Sequence, residues 1–310
     1  MKHLCLIFLS LALPAFATPI NLQVSQSFVS LSAVKGYKSQ SATITITNPT
    51  SQTLPSEARL SGEHHHAFLI SETPKELSPG KSYELTIQFN KTQKSFLHSA
   101  SIQLGPEQTG TEITLRGIGL QQFEGKNEPP LLDIVKALGI PLKVGGSTLH
   151  LDTKAATIGQ SLDASHFQAI DNKQAKITPL ARFSPKGKAP FGYFLGQKKH
   201  QLGELIDSSK TLPDAHQCLF PDILGAGKTL LFNAPAGAFN LYFQGHKQLS
   251  CTDTSVPTTA KIKHTARIYP VTSYQGKALE NAYLVGFEEA SNGDYQDALF
   301  LIENVSVIKQ

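Results

Sequence analysis

From Phe287 to Asp297 the chain reads Phe-Glu-Glu-Ala-Ser-Asn-Gly-Asp-Tyr-Gln-Asp. Glu288, Glu289, Asn292, Asp294 and Asp297 thus place five oxygen-bearing side chains within ten residues, and Gly293 permits a sharp turn among them. One chemistry for such a set is calcium binding, since that ion takes about six to eight oxygens from carboxylates, amides, backbone carbonyls and water. A second is glycoside hydrolysis, in which one carboxyl acts as acid and another as nucleophile or base. The plainest reading is a solvated acidic hairpin tip. Held together without a cation, clustered carboxylates repel one another and some of their pKa values must rise. The segment is not an EF-hand: with Glu288 at the first position Gly293 falls correctly at the sixth, but Ala290 and Leu299 stand at the third and twelfth.

Other stretches approach functional motifs and miss them. Gly225-Ala-Gly-Lys-Thr229 lacks the first glycine of a phosphate-binding loop, because Asp222 occupies that position. His64-His65-His66 invites zinc, but neighbours in a strand point to opposite faces and three in a row converge on one ion only from a loop. The later histidines, His150, His166, His200, His216, His246 and His264, are scattered singly, so any one becomes catalytic only if the fold brings a Ser and an Asp to it. There is no GxSxG, HExxH or CxxC. The sequence favours a non-catalytic protein and leaves a secreted hydrolase as the alternative.

The elements that must position the acidic segment are strands. Tyr283 to Phe287 enters it and Ala298 to Ile302 leaves it. Runs such as STLHL, FGYFLG, KTLLFN, FNLYFQG and HTARIYPV, broken by Gly, Pro, Asn and Asp, predict a mostly β domain over 131–310, a sandwich or jelly roll. One short helix is expected at its start, where Leu131, Leu132, Ile134, Val135 and Leu138 recur at helical spacing between Pro129-Pro130 and Gly139. Before it, 121–130 (QQFEGKNEPP) reads as a linker. Residues 20–120 alternate with period two between turn residues, as in Ala42 to Thr47 and Tyr83 to Phe89, and predict antiparallel strands in a second sandwich.

At 310 residues, 40% hydrophobic and 17% charged, the chain can bury two cores. Lys2, the apolar run Leu4 to Leu13 and the small-residue site ending at Ala17 read as a secretory signal over 1–17, so the expected location is periplasmic or extracellular. No later apolar run reaches the ~20 residues of a spanning helix. Loss of the signal removes Cys5 and leaves Cys218 and Cys251, the even count expected of one disulfide. A net charge of +4 without a basic run carrying aromatics argues against nucleic acid. With no Trp, the aromatic platforms left for a glycan are Tyr193, Phe194, Tyr242, Phe243 and Tyr295.

Two resemblances add to this reading. SATITITNPTSQTL, SGEHHHAFLI, LSPGKSYELTIQF and ITLRGIG resemble the immunoglobulin-like domain of the ASH/Hydin type, which implies a spacer or binding module over 20–120. NAYLVGFEEASNGDYQDALFLIENV, with EPPLLDIVKALG, PFGYFLG and ARIYPV upstream, resembles a family of bacterial exported β-sandwich domains. That resemblance implies a calcium site carried by Glu288, Asp294 and Asp297, with Asn292 and Glu289 beside them, and a role in surface, adhesive or carbohydrate-associated proteins. The expectation is a mainly β, exported binding protein with a structural calcium ion and a glycan or protein ligand. An open strand edge in the first domain would add a third role, pairing with a partner chain.

Overall fold

A computed structural model of the chain describes residues 22–90, 96–208, 214–246 and 248–309. The expected signal segment and Cys5 lie outside them. The architecture is mainly β, and among the described residues the one α-helix is Leu131–Ala137.

Residues 22–120 form two four-stranded sheets. One runs in the order Gln23–Val24, Ser41–Thr47, Ser82–Phe89, Phe68–Ile70, and the other Phe28–Val34, Thr111–Leu120, Leu97–Leu104, Ala58–Ser61. The alternation read from the sequence sends Ile44, Ile46, Leu85, Ile87 and Phe89 inward against Ile102, Ile113 and Leu115. His65–Ala67 is a 3-10 turn rather than strand, and the His65 and His66 rings meet edge to face with centroids 5.7 Å apart.

Residues 164–309 form two larger sheets. The first has the order Lys198–Leu205, Ala189–Leu195, Phe239–Gln244, Ala164–Ala169, Val305–Lys309, with Leu249–Cys251 added to Phe239–Gln244. The second has the order Gln217–Leu219, Ala175–Phe183, Ala298–Glu303, Ala282–Phe287, Ala266–Pro270, with Leu230–Phe232 added to Ala175–Phe183. Between them lies a phenylalanine core in which the Phe191 and Phe300 rings stand 4.7 Å apart.

The second sheet is buried on both faces, which is why its strands read as unbroken apolar runs. Phe300 and Ile302 enter the phenylalanine core, while Leu299 and Leu301 turn to a different cluster. That cluster gathers Ile134 and Val135 of the helix with Val34, Ile118 and Leu120 of the first sandwich. Hydrogen bonds cross the same joint: Ser30 Oγ to Ala137 O at 2.6 Å, Gln40 Nε2 to Leu219 O at 2.7 Å, and Leu219 N to Ser32 Oγ at 2.9 Å.

Two expectations are corrected. STLHL is not a strand; its Leu151 N donates to Gly293 O at 2.8 Å, so the segment runs across the acidic loop. Within the polar stretch 121–130, Glu128 and Pro129 are buried. Cys218 and Cys251 form no disulfide. Cys218 sits opposite Arg182 in one large sheet and Cys251 opposite Tyr242 in the other. Each thiol has its own acceptor, Ala215 O at 3.2 Å and Asn240 Oδ1 at 3.0 Å.

Candidate functional site: a buried carboxylate cluster

The acidic loop joins neighbouring antiparallel strands, with Phe287 opposite Ala298, but it does not project into solvent. Glu288, Asp294, Tyr295 and Gln296 are 0% exposed, Glu289 1% and Asp297 4%. A hairpin tip serving only solubility would show its carboxylates to water; these are folded inward.

Glu288 organises the fold of the loop. Its Oε1 accepts from Ala290 N and Ser291 N at 2.7 and 2.8 Å, and its Oε2 from Gly293 N and Asp294 N at 2.6 and 2.9 Å. Four converging N–H groups replace the water that a buried carboxylate loses. Gly293 is required at the turn: its φ is +88°, and a Cβ there would lie 2.6 Å from Thr153 Cγ2 and 2.8 Å from Leu151 O. The loop is tied to the opposite sheet as well. Gln248 Nε2 and Ser250 Oγ both donate to Glu288 O, and His246 N donates to Glu289 Oε2 at 2.8 Å. Gly245 makes room for that last contact, since a Cβ on it would fall 2.1 Å from Glu289 Oε2.

Among the described residues, Glu288, Asp294 and Asp297 are the group whose potential ligand oxygens all come within 4.8 Å of one another. Asp297 Oδ2 accepts Glu289 N at 2.6 Å and Asp294 Oδ2 accepts Asn292 Nδ2 at 2.7 Å. Asp294 Oδ1 is buried with no hydrogen-bond partner, and so are Gln296 Oε1 and Gln217 Oε1. Those two glutamines give their Nε2 groups to Glu128, each at 3.2 Å. The unsatisfied atoms of this region are therefore oxygens, and what they lack is a donor or a cation.

The electrostatics agree. Burial, then the neighbouring carboxylates of Glu288 and Glu128, raise Asp294 to about 8 against the pull of the Gln296 and Asn292 amides. Asp297 is raised well above the usual range by burial and then by Asp294, Glu288 and Glu289. Burial lifts Glu128 to about 7 against the pull of its two glutamine partners. Arg182, whose charge reaches Glu289, is committed elsewhere: it pairs with Asp207 Oδ1 at 3.0 Å and donates to Ser184 Oγ and the carbonyls of Pro185, Gly187 and Ile206.

Of the five residues expected as ligands, the structure brings Glu288, Asp294 and Asp297 together. Asn292 is exposed and turns its NH2 toward Asp294, and Glu289 reaches across to His246. Glu128 was missed, because in sequence it is one more polar residue of an apparent linker, and the double proline that follows it marks only a helix entry. The aromatic platforms are mostly closed, with Tyr242, Phe243 and Tyr295 buried. The fold does bring a Ser and an Asp to one histidine: Ser165 Oγ lies 2.8 Å from His166 Nδ1, and His166 Nε2 lies 3.4 Å from Asp253 Oδ2. Ser165 is only 3% exposed, whereas a nucleophile must meet its substrate.

No protein-family model matches this chain, and no curated protein matches it. Among solved structures, the Escherichia coli chaperone DraB is 11% identical, with 74% of this chain and 94% of that chain covered at a TM-score of 0.26. The Pseudomonas aeruginosa chaperone CupB2 is 7% identical over 73% and 93%, at 0.23. The Vibrio cholerae VesB protease is 14% identical over 32% of this chain and 31% of its own, also at 0.23. The chain thus spans about a third of VesB. Likeness this low fixes neither a family nor a function.

Proposed function

We propose that the chain is an exported, non-catalytic protein-binding protein whose acidic loop is locked by one calcium ion. Asp294 and Asp297 hold the ion, and Glu288 contributes its charge while shaping the loop beneath it. The observation that carries this reading is Asp294: fully buried, with Oδ1 unpartnered, in a group whose ligand oxygens lie within 4.8 Å of one another. Two oxygens on one calcium are separated by at most about 5 Å when each lies about 2.3–2.6 Å from the ion, so the group fits. An all-oxygen donor set suits calcium or magnesium and not zinc. The ion's chemistry here is charge neutralisation, which ties together the strands flanking the loop.

Burial argues against the hydrolase alternative, since carboxylates 0–4% exposed cannot reach a glycosidic bond. Closure of Tyr242, Phe243 and Tyr295 argues for a protein ligand over a glycan. Calorimetric titration of calcium into the signal-free protein tests the site. The expected result is one ion per chain, lost in Asp294→Asn/Asp297→Asn; absence of calcium binding to the wild-type protein overturns it.

A further inference from the structure

Where the two sandwiches meet, a cleft of about 720 Å³ opens between Phe28–Leu31 and Ser39–Ala42 of the first and Thr178, Pro179 and Phe220 of the second. One wall is the edge of a sheet. Phe28–Val34 pairs with Thr111–Leu120 on one side, and among the described residues no strand pairs with its other side. Ser27 O and Lys35 N bond to the Thr111–Leu120 strand, so the backbone groups of odd-numbered residues face that partner and those of Phe28, Ser30 and Ser32 face outward.

At Ser32 the outward groups are already taken, because Gln40 N donates to Ser32 O at 3.2 Å and Ser32 N donates to Gln40 Oε1 at 2.7 Å. Gln40 thus completes one rung of a ladder. The next rungs, at Ser30 and Phe28, line the cleft, and among the described residues no strand is hydrogen-bonded to them; Ser30 is 6% exposed because its side chain turns to Ala137 O. The facing wall contains Pro179, which has no N–H with which to compete for the Ser30 carbonyl. Lys38, Lys228 and Lys277 also line the cleft, and Asp222 pairs with Lys228 at 2.7 Å, which leaves Lys38 and Lys277 without an acidic partner there.

We infer that this cleft binds an extended, acidic segment of a partner protein, which adds as a short strand to the Phe28–Ser30 edge with its carboxylates toward Lys38 and Lys277. Main-chain hydrogen bonds supply affinity and the lysines select sign, as in other strand-addition interfaces. The inference rests on the binding-protein reading above but not on its calcium ion.

The test uses an eight-residue peptide of alternating Asp and Val, a Lys/Val counterpart, and an Asp/Val peptide N-methylated at alternate residues so that one edge has no N–H. Binding to the signal-free protein is followed by fluorescence anisotropy and by amide hydrogen exchange at Ser30, in calcium and in EDTA. The acidic peptide should bind and slow exchange at Ser30, methylation should abolish binding, and Lys38→Glu/Lys277→Glu should weaken it at least tenfold. No binding, equal binding of the methylated or lysine peptide, or binding that leaves Ser30 exchange unchanged would each overturn the inference. Loss of the calcium response with peptide binding intact would sink the metal reading alone.

Discussion

At the residue scale, two carboxylates six positions apart carry opposite burdens. Glu288 is fully compensated by four backbone N–H groups, whereas Asp294 keeps a bare oxygen. Glu288→Gln turns an NH2 toward donors it cannot satisfy and should cost about 2–4 kcal/mol in chemical denaturation. Asp294→Asn removes a carboxyl that burial and its neighbours make costly to ionise, so in EDTA at pH 8 and above it should match or exceed wild-type stability while abolishing the calcium response. Glu128 provides a pH test. Its proton is held more tightly in the folded protein, with the pKa near 7 in place of 4.5, so its contribution is complete below about 4.5 and is lost as pH rises through about 7. In EDTA, stability should therefore fall between about pH 4.5 and 7, with Asp294 and Asp297 adding to the fall in the same direction, and Glu128→Gln should make it shallower by on the order of 3 kcal/mol. The sequence showed which loop concentrates carboxylates. It did not show that Glu128, some 160 residues away, joins them, because that meeting is made by the helix and coil that follow Pro130.

At the scale of elements, period-two alternation was readable in strands of the first sandwich such as Ser41–Thr47 and Leu97–Leu104, whereas Phe28–Val34 is buried at nearly every position because the joint covers its second face. Ala282–Phe287 and Ala298–Glu303 lack alternation because both faces are covered, and their runs still marked them as strands. STLHL was misread because Leu151 is buried by the acidic loop and not by a sheet. The even cysteine count suggested a disulfide, but Gln217–Leu219 and Leu249–Cys251 lie in different sheets. Burial pushes both thiols up, Cys251 to about 12 and Cys218 further, so each should resist a thiol-specific reagent at pH 8 until the protein unfolds. Rapid native labelling would contradict that placement. Gly293→Ala forces a side chain into the left-handed region and against Thr153 and Leu151, and should destabilise by about 1–3 kcal/mol.

At the scale of the molecule, the two sandwiches are joined by a continuous apolar cluster, and the Gln40 and Ser32 side chains bridge to Leu219. A joint of this kind makes domain separation costly and keeps the walls of the cleft in register. The two sandwiches should therefore unfold in one cooperative transition, which calorimetry checks by comparing calorimetric with van't Hoff enthalpy. The most direct test of the central claim is thermal unfolding of the signal-free protein in EDTA, in millimolar calcium and in magnesium. With calcium a hundredfold above the dissociation constant, linkage contributes about 2.7 kcal/mol, which at this chain length raises Tm by on the order of 5–10 °C. Calcium should produce that rise in the wild-type protein and none in Asp294→Asn/Asp297→Asn. An unchanged Tm, in protein shown by elemental analysis to have lost its metal, would contradict that claim.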